Sequence, residues 1–112
     1  MYKIRSKRKL YDKQKRIMMC FSHSSQRWLD CIKISTTNSL THEITKLKKC
    51  YDIKKKGHHF LTEAMFKGIG KGRCDVVDLN EGVIYEVLET ESLEDAKEKA
   101  ARYPLPVEYV HS

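Results

Sequence analysis

No stretch of this chain strings together enough apolar residues to cross a bilayer, and its first residues are too charged for a secretory leader. The expectation is an intracellular, cytoplasmic protein with no membrane partner. Cysteine is sparse: Cys20, Cys31, Cys50 and Cys74 show no Cys-x2-Cys pairing. In a reducing compartment they read as free thiols, with Cys50 and Cys74 as small buried hydrophobes. Zinc ligands drawn from Cys20, His23, Cys31, Cys50, His58 and His59 would match no standard finger interval, so a zinc-held interaction protein ranks last among the readings. Proline occurs only as Pro104 and Pro106, where the two end the last helix. The glycine-rich run Gly68–Gly72 lacks the combined context of a phosphate-binding loop, a strand before and a helix after, so that motif is discounted.

Acidic residues are scarce in the first half, and this asymmetry says more than the net charge of +7. Residues 1–57 hold 16 Lys/Arg against 4 Asp/Glu, and residues 58–112 hold 6 against 11. A basic half beside an acidic half suggests a polyanion grip next to a cation-binding end, with nucleic acid as the expected polyanion. A solvated basic tail and an anionic membrane surface fit the same charges. The length suits one domain.

Hydrophobic spacing supplies the elements. Residues 1–16 read as a basic arm or the start of a basic helix. Trp28, Leu29 and Ile32 share a helical face over about Gln26–Ile34, with Trp28 packing rather than stacking on a base. Ser35–Ser39 reads as a loop leading to a cap. A helix over Leu40–Lys55 follows, with Leu40, Ile44, Leu47 and Tyr51 as its apolar stripe, Ser39 or Thr41 as cap and Gly57 at its stop. His58–Phe66 reads as a strand. Gly72–Leu79 and Val83–Glu89 read as two more, joined by a tight turn at Asn80–Gly82. Ser92 caps a helix whose inner face is Leu93, Ala96, Ala100 and Tyr103, and Val107–His111 makes a last strand.

Lone acids interrupt this apolar pattern. Alternation places Asp75 with Val77 and Leu79, and Glu86 with Ile84 and Leu88. A carboxylate within an apolar strand needs compensation, and a divalent cation is one common form of it; positions at strand ends or on a wet face are the other. Glu63 stands alone in the preceding strand. Glu43 either favours the positive helix N-terminus or leans toward a metal over the sheet.

The element order, with acids at these places, resembles the PD-(D/E)XK nuclease superfamily, and within it the small archaeal and archaeal-virus proteins related to Holliday junction resolvases. The resemblance covers about residues 39–112; residues 1–38 form a separate basic, partly helical extension. It implies an α/β fold with a restriction-endonuclease-like αβββαβ core and a mixed central sheet. It further implies a DNA endonuclease dependent on Mg2+ or Mn2+, branched DNA among its substrates, a homodimer as one arrangement, and an infected archaeal host as one setting. The family's positions correspond to Glu43, Asp75 and Glu86, with Glu63 as a further acid and the carbonyl of Val87 as a ligand. Lys99, Tyr103 and Pro104 match a Lys-x3-Tyr-Pro run of archaeal members. The family's lysine two residues past the glutamate is Leu88 here, so the resemblance turns to Lys97 and Lys99 for a cation, with Lys99 favoured. A catalytically degenerate DNA-binding protein that keeps the fold is the alternative. Lys7, Arg8, Lys9, Lys54, Lys55 and Lys56 would hold the duplex by its phosphates.

Overall fold

The computed structural model describes residues 12–68 and 72–112, so Lys7, Arg8, Lys9 and the middle of the glycine-rich turn lie outside the described residues. The fold is mixed α/β. A helical stretch over residues 12–18 (α1) leads to α2, His23–Gln26, and the long α3, Leu40–Lys55. Strands β1 (Phe60–Met65), β2 (Arg73–Asp78) and β3 (Val83–Leu88) follow, then α4 (Leu93–Ala100) and β4 (Val107–His111). The sheet runs β1-β2-β3-β4, antiparallel at its first two joins and parallel at the third. The parallel join is the crossover that α4 makes possible.

Local chemistry explains where the helices begin and stop. The hydroxyl of Ser39 accepts the amide of His42 at 3.1 Å, and that of Ser92 accepts Asp95 at 3.1 Å. Each removes one orphan donor, and acids in both first turns face the positive end of the dipole. Gly57, at φ 79°, takes the left-handed turn just past α3.

Two apolar layers sandwich the sheet. Cys50 and Ile53 of α3 meet Phe60, Val76 and Tyr85 on one side. On the other, Ile17 and Phe21 meet Leu61, Ala64, Phe66, Cys74, Val77, Leu79 and Ile84, with Tyr103 and Leu105 alongside. Cys50 and Cys74 are buried as expected.

Three expectations need correction. The helix over Gln26–Ile34 does not form. Asp30 takes φ 59°, donates its amide to Phe60 O and accepts Phe60 N, His59 Nδ1 and Lys54 Nζ, which staples the chain to the start of β1. Trp28 is therefore half-exposed rather than packed inside, with the Lys33 ammonium 4.6 Å over its ring. The strand starts at Phe60 instead of His58, because the two histidine rings turn to Asp78 and Asp30.

The third correction concerns α3. Its ends fall where the sequence put them, but its buried face is His42, Lys46, Cys50 and Ile53, while Leu40, Ile44, Leu47 and Tyr51 face outward. The two faces stand about 135° apart around the helix. An inward Lys46 is tolerable only because acids meet it there, so a polar network, not the apolar stripe, sets the rotation of α3.

Candidate active site

Alternation along β1 and β2 breaks at Glu63 and Asp75. Leu61 and Ala64 lie three residues apart yet join the same apolar layer, as do Cys74 and Val77. Glu63 adopts φ 47°, a left-handed conformation that costs a non-glycine residue about 1–2 kcal/mol. The break turns the acids out of the apolar layer. Asp75 consequently does not share the surroundings of Val77 and Leu79: its Oδ2 lies 3.5 Å from His42 Nε2 on α3. Glu63 reaches Lys46 on the same helix at 3.4 Å.

Between β2 and β3 the ladder runs from Asp78↔Val83 to Val76↔Tyr85. At the next position, where Asp75 stands opposite Glu86, side chains take over from backbone. Asp75 N donates to Glu86 Oε1 at 3.1 Å, and Val87 N donates to Asp75 Oδ2 at 2.8 Å. This reciprocal clasp fixes the two carboxyl groups side by side. Burial and the adjacent Asp75 charge push Glu86 up to about 8, against the Asp75 amide and the Lys99 ammonium, which pull it down.

Both carboxyl groups line an open cleft of about 390 Å³, together with His42, Val87, Lys99 and Tyr103. Lys99 also pairs with Glu91 at 4.0 Å. Of the two lysines on α4, only Lys99 borders this cleft. Tyr103 donates to Arg73 O at 3.0 Å and its ring lies 4.7 Å from that of Phe66; burial and the Glu86 charge hold its phenol above the usual range.

Glu43 and Glu63 are engaged elsewhere. Lys46, fully buried, donates to Glu43 Oε1 and Lys33 O at 2.6 Å each and to Glu63 Oε1 at 3.4 Å. Glu43 also accepts Ser35 N at 2.6 Å and meets His42 Nδ1 at 2.9 Å. Burial alone would raise its carboxyl. Lys46, the Ser35 amide and His42 overcome that and lower it to about 2. An ionised carboxylate only accepts, so the Nδ1–H of His42 donates to Glu43 Oε2, and in the neutral ring Nε2 faces Asp75 as an acceptor. The chain thus runs Lys46–Glu43–His42–Asp75, with Glu63 tied in through Lys46 and, at 3.7 Å, Arg73.

The structure therefore brings Asp75, Glu86, Val87 and Lys99 to one cleft that Glu63 also lines, and ties Glu43 and Glu63 to a lysine. His42 and Lys46 went unread in the sequence, though Glu43 three residues before Lys46 is the spacing at which helical side chains meet. Lys54, Lys55 and Lys56 lie at the far end of α3, where Lys54 pairs with Asp30 and Lys56 approaches Glu81 at 3.9 Å.

Among the described residues, one trio of potential metal ligands comes within shared-ion spacing: His58, Asp78 and Glu81, at the β2–β3 turn. Its contacts have a structural account. Asp78 accepts the amides of Asn80 and Glu81 at 2.9 and 3.0 Å and meets His58 Nδ1 at 2.9 Å, which closes the turn. No cysteine belongs to it, so the zinc set imagined from Cys20, His23 and Cys31 is not assembled. Among the described residues, no helix is long and apolar enough to cross a membrane. No family model, curated protein or solved structure matches the chain.

Proposed function

We propose that this protein is a divalent-metal-dependent DNA endonuclease of the PD-(D/E)XK type, built on a restriction-endonuclease-like core, with branched DNA among its substrates. One observation carries the reading: the Asp75 and Glu86 carboxyl groups stand side by side where β2 and β3 part, in a cleft that also holds a lysine. Each has one oxygen fixed by a backbone amide. The other, Asp75 Oδ1 or Glu86 Oε2, accepts no backbone amide among the described residues, and the two carboxyl groups are left to each other.

This donor set fits a hard cation. Two adjacent carboxylates, one of them pushed up to about 8 by burial and its neighbour, lack one positive charge. Asp75 and Glu86 would hold Mg2+ or Mn2+, with the Val87 carbonyl as a further oxygen. When bound, such an ion supplies charge neutralisation on the scissile phosphate and a nucleophilic water at neutral pH.

The chain's own residues do the remainder. Lys99, which lines the same cleft, would oppose the negative charge that develops on the phosphoryl oxygens. Glu43 orients His42 by accepting its Nδ1–H, which brings the ring's Nε2 edge to 3.5 Å from Asp75 Oδ2. Lys46 neutralises Glu43 and Glu63, which act here as supports of the site rather than as ligands. Lys54–Lys56 lie about 18 Å along α3 from His42, a reach of roughly five base pairs, so they would hold duplex flanking the cut.

Leu88 favours the second reading, a DNA-binding protein that has lost catalysis. It is buried at the position two past Glu86, where the motif lysine would stand, and presents no cation. A cleavage assay on branched and linear DNAs, with and without Mn2+, separates the two. The enzyme predicts Mn2+-dependent cutting that disappears in Asp75→Ala and Glu86→Ala. The binding protein predicts no cutting and unchanged, metal-independent DNA retention in the same variants.

A further inference from the structure

The side of α3 turned away from the sheet carries Leu40 at 77% exposure, Ile44 at 42%, Leu47 at 50% and Tyr51 at 66%. Their steps of four, three and four residues are the seam spacing by which one helix packs along another. The stripe continues beyond α3. Ile34 is 75% exposed, and Ile32 borders the same shallow depression as Leu47 and Tyr51. The segment bearing both isoleucines is tied to α3 through Lys46 on Lys33 O and Ser35 N on Glu43, so the patch is one held surface.

We propose that this face pairs with a second copy of the chain, α3 against α3 across a two-fold axis. The pairing is independent of the nuclease reading. The six side chains offer on the order of 600 Å² per copy, or roughly 1,200 Å² for the pair, which clears the ~1,000 Å² that a specific interface needs. A single seam of two heptads is self-complementary, as a two-fold contact requires. Charge selects the orientation. In a parallel pair the Lys54, Lys55 and Lys56 runs of both helices would meet at one end. An antiparallel pair sends them to opposite ends, sets Leu40 against Tyr51 and Ile44 against Leu47, and faces Lys48 with Thr41 rather than another lysine.

Sedimentation of the full chain tests this. The wild type is expected to sediment as a dimer, and raising salt from about 0.1 to 0.5 M is expected to tighten it, because apolar contact drives the pair while its lysines repel. Leu47→Glu is expected to weaken association by about 100-fold or more with an unchanged circular dichroism spectrum, since the side chain is exposed in the single chain, and to abolish the concentration dependence of the melt. Tyr51→Lys, at the outer end of the stripe, supplies a second variant should the first fold poorly, and it too is expected to give monomer. The proposal is overturned if the wild type stays monomeric at about 100 μM, if the dimer survives both substitutions, or if salt dissociates it. A wild-type chain that is monomeric alone yet binds another protein through this stripe overturns it as well.

Discussion

Replacing Lys46 by Met would remove one charge from the place where the fold depends on it most. The Nζ has no solvent contact and serves Glu43, Glu63 and the carbonyl of Lys33 at once. Methionine keeps much of the length and apolar stem, so the perturbation is the loss of the ammonium. Both carboxylates then remain in a region that water barely reaches, Glu43 with the Ser35 amide and the His42 ring and Glu63 with the exposed Arg73 at 3.7 Å. Removing one partner of a buried ion pair costs about 3–5 kcal/mol. A chain of this length has roughly 6–17 kcal/mol of stability, so the loss is a large share of the whole. It corresponds to a fall in Tm of roughly 12–20 °C. Urea unfolding followed by circular dichroism reads the loss directly. Acid supplies an internal check through Glu43, whose folded carboxyl is lowered from 4.5 to about 2. A depressed acid adds stability that is complete above 4.5 and lost as pH falls toward 2. That limb should be present in the wild type and much reduced in Lys46→Met. Adding Glu43→Gln and Glu63→Gln to Lys46→Met should restore most of the stability, because no buried charge is then left alone. A loss below about 1 kcal/mol in the single variant, or an unchanged acid limb, would refute the network.

The Asp75–Glu86 pair gives the opposite pH dependence. A raised acid costs stability as the unfolded chain releases its proton first, so metal-free protein should lose stability from about pH 4.5 to about pH 8 and then level off. Asp75→Asn should make that slope shallower, leaving the larger part that burial of Glu86 causes, and Mn2+ should raise Tm most near pH 8; scanning fluorimetry across pH reads both. For the phosphate grip, the triple change Lys54→Ala, Lys55→Ala, Lys56→Ala should weaken binding to all duplex sequences alike. It should also lower the slope of log K against log salt by up to about 3, measured by fluorescence anisotropy.

The strand and helix order was legible because periodicity and caps carry it. Ser39, Ser92 and Gly57 mark their helix ends as the chemistry of orphan backbone groups demands. The closeness of Asp75 and Glu86 was also legible, since a short turn between two strands places them opposite each other. Other features were hidden because long-range pairing outweighs local pattern. The apolar stripe of α3 reads as its core face, yet Lys46 faces inward, since Glu63 from β1, seventeen residues on, completes its shell. Asp75 leaves the company of Val77 because Glu63 goes left-handed, a backbone choice that no propensity forecasts for glutamate. Asp30 prevents the helix that the spacing of Trp28, Leu29 and Ile32 predicts, through bonds to the start of a strand thirty positions later.

The claim on which the account turns is that Asp75 and Glu86 hold a cation between them. Electron paramagnetic resonance of added Mn2+, titrated into the purified chain near pH 8, tests it without requiring turnover or DNA. The expected result is one bound ion per chain, lost in Asp75→Asn and in Glu86→Gln but kept in Glu81→Gln, which alters the separate trio at the β2–β3 turn. Free Mn2+ throughout, or binding that only Glu81→Gln removes, would contradict it.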